Sequence, residues 1–307
     1  MENFILTVSL LIIGVLLKQA KVFPASTSES LNLFVIYVSL PALVLLKVPE
    51  LQFSFDLLAP VIVPWAVLLF SAALVLLFAK QLHWSREVTG ALLLIVPLGN
   101  TSFLGIPMVR AFFGDAAIPY ALMYDQLGSF LALAIYGSLI LAIYSQDNHK
   151  LSINHVLYKV VTFPPFISLV IALILGGFNL PQAYFNLLSP LASTLVPVVM
   201  IAVGFQLHLK LRPDQLSPFL IGLCIKMIIA PFVVLLVFFG LGFHSFVYQI
   251  TVFEAAMPPM ISAGALAIIA KLSPRLTAAM MAYGIILSFV TLPIWFWLLS
   301  NFVDAIG

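Results

Sequence analysis

The chain has 307 residues, 63% of them hydrophobic and 8% charged, with a formal net charge of +2. Soluble domains carry about 25% charged residues, so a water-soluble globule is excluded, and so small a charge without a basic run offers nothing to a nucleic acid. The lone cysteine, Cys224, rules out an internal disulfide framework and a cysteine metal site.

A membrane-spanning helix needs roughly 20 mainly apolar residues. On that length the sequence predicts ten spans, at 3–19, 29–48, 57–80, 88–113, 116–145, 156–177, 184–208, 215–242, 246–271 and 275–303. Met1–Leu17 reads as the first span rather than a cleavable signal, because Glu2 opens it and Lys18 follows its apolar core. The longest polar connection, Ser145–His155, divides the chain into halves 1–146 and 147–307 with five spans each.

Basic residues orient these spans. Lys18 and Lys21 follow span one, Lys80 and Arg86 span three, and Lys150 and Lys159 flank the central connection. Lys210 and Arg212 follow span seven, and Lys271 and Arg275 span nine. The opposite loops hold only Lys47 and Arg110. By the positive-inside rule the odd-numbered connections are cytoplasmic and both termini lie outside. An odd number of spans per half then inserts the second half upside down relative to the first.

Two spans stop behaving as helices at bilayer depth. Span four contains Leu98-Gly99-Asn100-Thr101-Ser102-Phe103-Leu104-Gly105-Ile106-Pro107, and span nine contains Glu254-Ala255-Ala256-Met257-Pro258-Pro259-Met260-Ile261-Ser262-Ala263-Gly264. Lipid cannot satisfy broken backbone, which survives only inside protein or beside a cavity. Paired breaks in corresponding spans of two halves point to a transporter's binding site. Spans two and seven correspond likewise, through Ser39-Leu40-Pro41-Ala42 and Thr194-Leu195-Val196-Pro197.

Gly99–Pro107, Ser39–Ala42 and Ala256–Pro259 resemble signatures of the auxin efflux carrier family of permeases, and the resemblance covers essentially the whole chain. It implies an all-α membrane protein of two inverted five-helix repeats, with broken fourth and ninth helices that cross. That fold is related to the bile acid/sodium symporters, in which a scaffold moves against a core. The resemblance also implies organic anions such as malate, malonate or auxin as substrates, a homodimer joined through the scaffold, and a prokaryotic member in an inner (plasma) membrane.

Helix fragments restarting near Gly105–Pro107 and Pro258, Pro259 and Ser262 expose backbone N–H groups and a positive dipole end, both suited to a carboxylate. Asn100, Thr101 and Ser102 add polar side chains at that depth. Glu254 lies about 12 Å into span nine at helical rise, where a carboxylate defaults to a functional hypothesis. It is a candidate Na⁺ ligand together with Asn100, or a proton carrier, or an ion-pair partner of Lys226. In the bile acid symporters a glutamate just before the break binds sodium, but the Asn/Gln-rich continuation is replaced here by Met257-Pro258-Pro259.

In span five, Asp125 is a second candidate for coupling, and Gln126 matches a substrate-contacting glutamine of plant members. Successive helical residues point about 100° apart, so only one of the two is expected to face a cavity squarely. Lys226, deep in span eight, is either a switchable partner of these carboxylates or a side chain that snorkels to the cytoplasm. Arg110 is expected to reach the outer interface or pair with Asp115, and Trp295 and Trp297 to face lipid or the interface.

The sequence therefore predicts a secondary permease for a small carboxylate, working by alternating access, without a cofactor beyond Na⁺ or H⁺ as coupling ion. The nearest rival is a sodium-coupled symporter of the bile acid type, and a channel or sensor is more remote. An enzyme is not expected, since neither an intramembrane protease Gly-x-Ser-Gly motif nor paired Asp-rich motifs occur, and no ATP-binding motif suggests a pump.

Overall fold

The computed structural model describes residues 2–21, 23–24, 26–51, 54–145, 153–207 and 215–304. Lys150, Lys210 and Arg212, used above to orient the chain, lie outside the described residues, as does most of the central connection. Seven described helices are long and apolar enough to cross a membrane: Glu2–Gln19, Thr27–Glu50, Phe55–Gln81, Asp115–Tyr144, Gln182–Gln206, Leu216–Gly240 and Pro274–Asn301. They correspond to spans one, two, three, five, seven, eight and ten.

The remaining three spans are interrupted. Span four divides into 4a, Arg86–Ile95, and 4b, Thr101–Phe113. Span nine divides into 9a, Phe246–Ala255, and 9b, Ile261–Ile269. Span six, expected as one helix over 156–177, is instead Ile153–Val161 followed by Pro164–Leu175. Pro164 and Pro165 cause this break: Phe163, preceding them, is held extended at φ −74° and ψ 117°, and proline then opens the new helix. Twelve residues rise about 18 Å, less than the roughly 30 Å of a hydrocarbon core, so Pro164–Leu175 needs a neighbouring segment to complete a crossing.

Prolines also explain a repeated local distortion. The π-helical stretches Val35–Ser39, Thr101–Gly105 and Ile225–Ile229 each end two residues before a proline: Pro41, Pro107 and Pro231. Proline has no N–H to give the preceding turn and its ring crowds that turn's carbonyl. The turn widens, and Leu40, Ile106 and Ala230 donate five residues back, to Val35, Thr101 and Ile225. Such bulges commonly accompany functional sites.

The spans pack as two groups. In one, span one lies along span seven, and span two packs on spans six and seven. Gly14 and Gly204 make the first of these contacts possible, because a Cβ on either would stand 2.3 Å from a backbone oxygen, of Ile201 and Leu11 respectively. Within this group the Ser39 and Thr194 hydroxyls meet at 2.7 Å, joining the corresponding motifs of spans two and seven. The second group gathers spans three, four, five, eight, nine and ten. Its apolar interior is split at the breaks. Leu98 and Met260 belong to one buried cluster, Phe103 and Met257 to another.

Candidate functional site at the crossing of spans four and nine

The two broken segments meet as a single antiparallel β-bridge between Gly99 and Pro259. The Asn100 N–H donates to the Pro258 carbonyl at 2.8 Å, and the Met260 N–H donates to the Leu98 carbonyl at 3.0 Å. Each break thereby satisfies backbone groups of the other, which is how non-helical backbone survives at this depth. The Asn100 carbonyl starts helix 4b by accepting from Gly105 at 2.9 Å. Pro259 packs on Gly284 of span ten, where a Cβ would lie 2.7 Å from the proline Cδ.

Around this bridge the sequence candidates converge. Asp125 is fully buried. It accepts hydrogen bonds from Thr101 Oγ1 at 2.6 Å, from Ser102 Oγ, and from Gln126 Nε2 at 2.6 Å. Gln126 is equally buried, so both neighbours turn into the protein rather than one alone. They lie in the π-helical stretch Tyr124–Phe130, where the wider turn departs from ordinary α-helical angular spacing. Trp65 fixes the same stretch by donating to the Leu127 carbonyl at 3.0 Å.

Glu254 is fully buried, and both of its carboxylate oxygens lack a hydrogen-bond partner. It does not bond Lys226 directly. The Lys226 ammonium instead donates to the Ala255 carbonyl at 3.2 Å, at the negative C-terminal end of 9a. The side chain is only 1% exposed, which corrects the expectation that it could snorkel. Its Nζ would stand 3.1 Å from a Cβ on Gly99, so the lysine reaches across span nine to the break in span four. Two further buried polar atoms here have no partner, Asn100 Nδ2 and Gln126 Oε1. Native proteins leave few such atoms. This cluster offers a donor in Asn100 and acceptors in Gln126 and Glu254.

Gly105 and Pro107 are buried in 4b, and Ser262 is half-buried in 9b. Arg110 pairs with Asp115 at 2.7 Å on the surface, outside the crossover. Trp295, expected to face lipid or the interface, is buried and donates to the Met227 carbonyl at 2.9 Å, while Trp297 is 63% exposed. Two residues apart on a helix, the rings point about 200° apart, so Trp295 meets the π-bulge of span eight, whose Met227 carbonyl takes its indole N–H, and Trp297 turns outward. Two features escaped the sequence reading: Asp125 as the hub of three donors, and Gly99 as the seat of Lys226. A glycine within a break is the available signal for the second.

The chain resembles two archaeal proteins, each named an uncharacterised transporter. One, from Methanothermobacter thermautotrophicus, is 25% identical over 297 residues, 96% of each chain. The other, from Methanocaldococcus jannaschii, is 24% identical over 310 aligned positions, 98% of this chain and 99% of its own length. The family model described as membrane transport protein matches residues 1–296. With that match and the crossing broken spans, the chain belongs to the membrane transport protein family that includes the auxin efflux carriers.

Proposed function

We propose that this integral membrane protein is a secondary permease that carries a small organic carboxylate by alternating access at the crossover. Malate, malonate and auxin-like acids are the candidate substrates. The observation that carries the reading is the set of unsatisfied groups beside the Gly99–Pro259 bridge. Asn100 Nδ2 can donate to a substrate carboxylate, and Gln126 Oε1 can accept from a substrate hydroxyl or carboxylic acid. The restarting helices 4b and 9b direct positive dipole ends toward the same region. In this reading halves 1–146 and 147–307 are inverted repeats, spans one, two, six and seven form the scaffold, and both termini lie outside the plasma membrane.

In this reading Na⁺ is the less favoured coupling ion. Such an ion wants several oxygen ligands where a half-helix ends, and the Ala255 carbonyl there is already engaged by the Lys226 ammonium. The chain's own cation therefore competes with a coupling ion for that carbonyl, while the Glu254 oxygens stay without partners and can take up a proton. A proton carried by Glu254 is the coupling that the geometry favours over the sodium-symport alternative. Purified protein in liposomes tests both proposals. Carboxylate flux is expected, faster with an imposed pH gradient and indifferent to a Na⁺ gradient. Absence of flux with every carboxylate tried would remove the transport reading, and Na⁺ dependence would restore the rival.

A further inference from the structure

A cavity of about 470 Å³ runs beside helix 9b and outside the crossover itself. Ile261, Ala265 and Ile268 form one of its walls. At offsets of four and seven residues they share one face of the helix, so the cavity follows 9b from its restart at the crossover to its far end. The opposite wall belongs to the other packing group, with Phe205 and Gln206 of span seven, Ser28, and two lysines, Lys18 and Lys21.

Lys18 is held at this wall by donating to the Leu207 carbonyl at 3.0 Å. Lys21 follows in a left-handed turn at φ 53° that ends the first helix. At the opposite end of span one, Phe4 packs on Phe112 of 4b and on Phe289 of span ten, with ring centroids 5.3 and 6.1 Å apart. Phe112 in turn touches Phe253 and Phe296. The boundary between the groups is thus open and basic at the lysine end, and filled by aromatic rings at the other.

We infer that Lys18 and Lys21 form an anion-recruiting mouth on the cytoplasmic side, which feeds carboxylates along 9b to the crossover. The inference rests on the permease reading and adds a second, more peripheral binding site to it. Multiply charged carboxylates gain most there, because both lysines attract the same ligand. A lipid phosphate offers the same chemistry at this depth, and the experiment separates the two.

The test is export from liposomes of purely zwitterionic lipid and of lipid containing phosphatidylglycerol, with a dicarboxylate or a monocarboxylate inside. Lys18→Gln with Lys21→Gln is expected to raise the half-saturating dicarboxylate concentration about tenfold, the low end for a charge-lined cleft. The increase should be smaller for a monocarboxylate and should shrink at high salt. Ala265→Trp, which fills the cavity without altering charge, should give a similar rise, and cysteine labelling checks that orientation is retained. Wild-type flux with unchanged half-saturation in both variants overturns the mouth while leaving the permease intact. A defect confined to phosphatidylglycerol vesicles also overturns it and identifies a lipid site. No wild-type flux at all defeats the permease reading instead.

Discussion

The carboxylate of Glu254 rests on the bare Cα of Gly105. A Cβ at that glycine would stand 2.5 Å from Glu254 Oε2 and 2.9 Å from Oε1. Helix 9a thus lays its last buried charge against the first turn of 4b, and the missing side chain makes the room. The Gly99–Pro259 bridge joins the two broken spans by hydrogen bonds, and here they meet by close packing alone.

The obstacle to a methyl group at Gly105 is the end of a flexible side chain, which can rotate away. Gly105→Ala is therefore expected to fold with a melting temperature within a few degrees of wild type, since re-seating a rotamer costs about 0.5–1.5 kcal/mol. Carboxylate flux should nevertheless fall by about tenfold, the effect of roughly 1.4 kcal/mol on a barrier, and pH-gradient stimulation should be lost as in Glu254→Gln. Full flux in both variants would show that Glu254 takes no part in transport.

Gly14 and Gly204 present the opposite case. The obstacles there are backbone oxygens of Ile201 and Leu11, which cannot move without separating spans one and seven. Gly14→Ala should destabilise the detergent-solubilised protein by about 1–3 kcal/mol, the range for overpacking. A thermal melt checks this, and an unchanged midpoint would mean that the two helices slide freely.

Asp125, itself fully buried, gathers three side-chain donors. Asp125→Asn replaces a carboxylate oxygen with an NH₂, so one of the bonds to Thr101, Ser102 and Gln126 must break or reverse. Losing one charge-assisted bond costs about 1.5–3 kcal/mol. Melting temperature should drop, and liposome flux should fall more than tenfold. Thr101→Val, which removes one donor and keeps the shape, should do less of each. Equal effects from the two variants would contradict the hub assignment.

Lys226 and Glu254 are near enough to interact electrostatically without being bonded. Removing the lysine takes away the cation nearest that carboxylate and leaves the buried Ala255 carbonyl without its donor, which by itself costs about 1–3 kcal/mol. Lys226→Met is expected to be markedly less stable than Lys226→Met combined with Glu254→Gln. A thermal double-mutant cycle measures the coupling. Additive effects would show that the lysine serves only the Ala255 carbonyl.

Much of the architecture was legible before any coordinates, because lipid makes sequence speak in lengths. Seven uninterrupted spans, the glycine- and proline-marked breaks in spans four and nine, and the matching Ser39 and Thr194 segments follow from local rules. The break in span six was equally local, written in Phe163-Pro164-Pro165, but its apolar flanks concealed it. Asp125 and Gln126 show where such reading stops. Their burial together depends on a π-bulge that periodicity does not announce, and on hydroxyls of span four 23 and 24 residues earlier in the chain.

The sequence by itself determined that the chain lives in a membrane, that spans four and nine are broken, and which buried side chains are chemically expensive. Those properties belong to single segments, through hydropathy, backbone donors and the geometry of proline. Only the tertiary structure decided that the breaks pair with each other, that Lys226 chooses a carbonyl over a carboxylate, and that Trp295 turns inward. Partners brought together from distant segments compete for each polar atom, and that competition is settled by distances between helices, which no local pattern records.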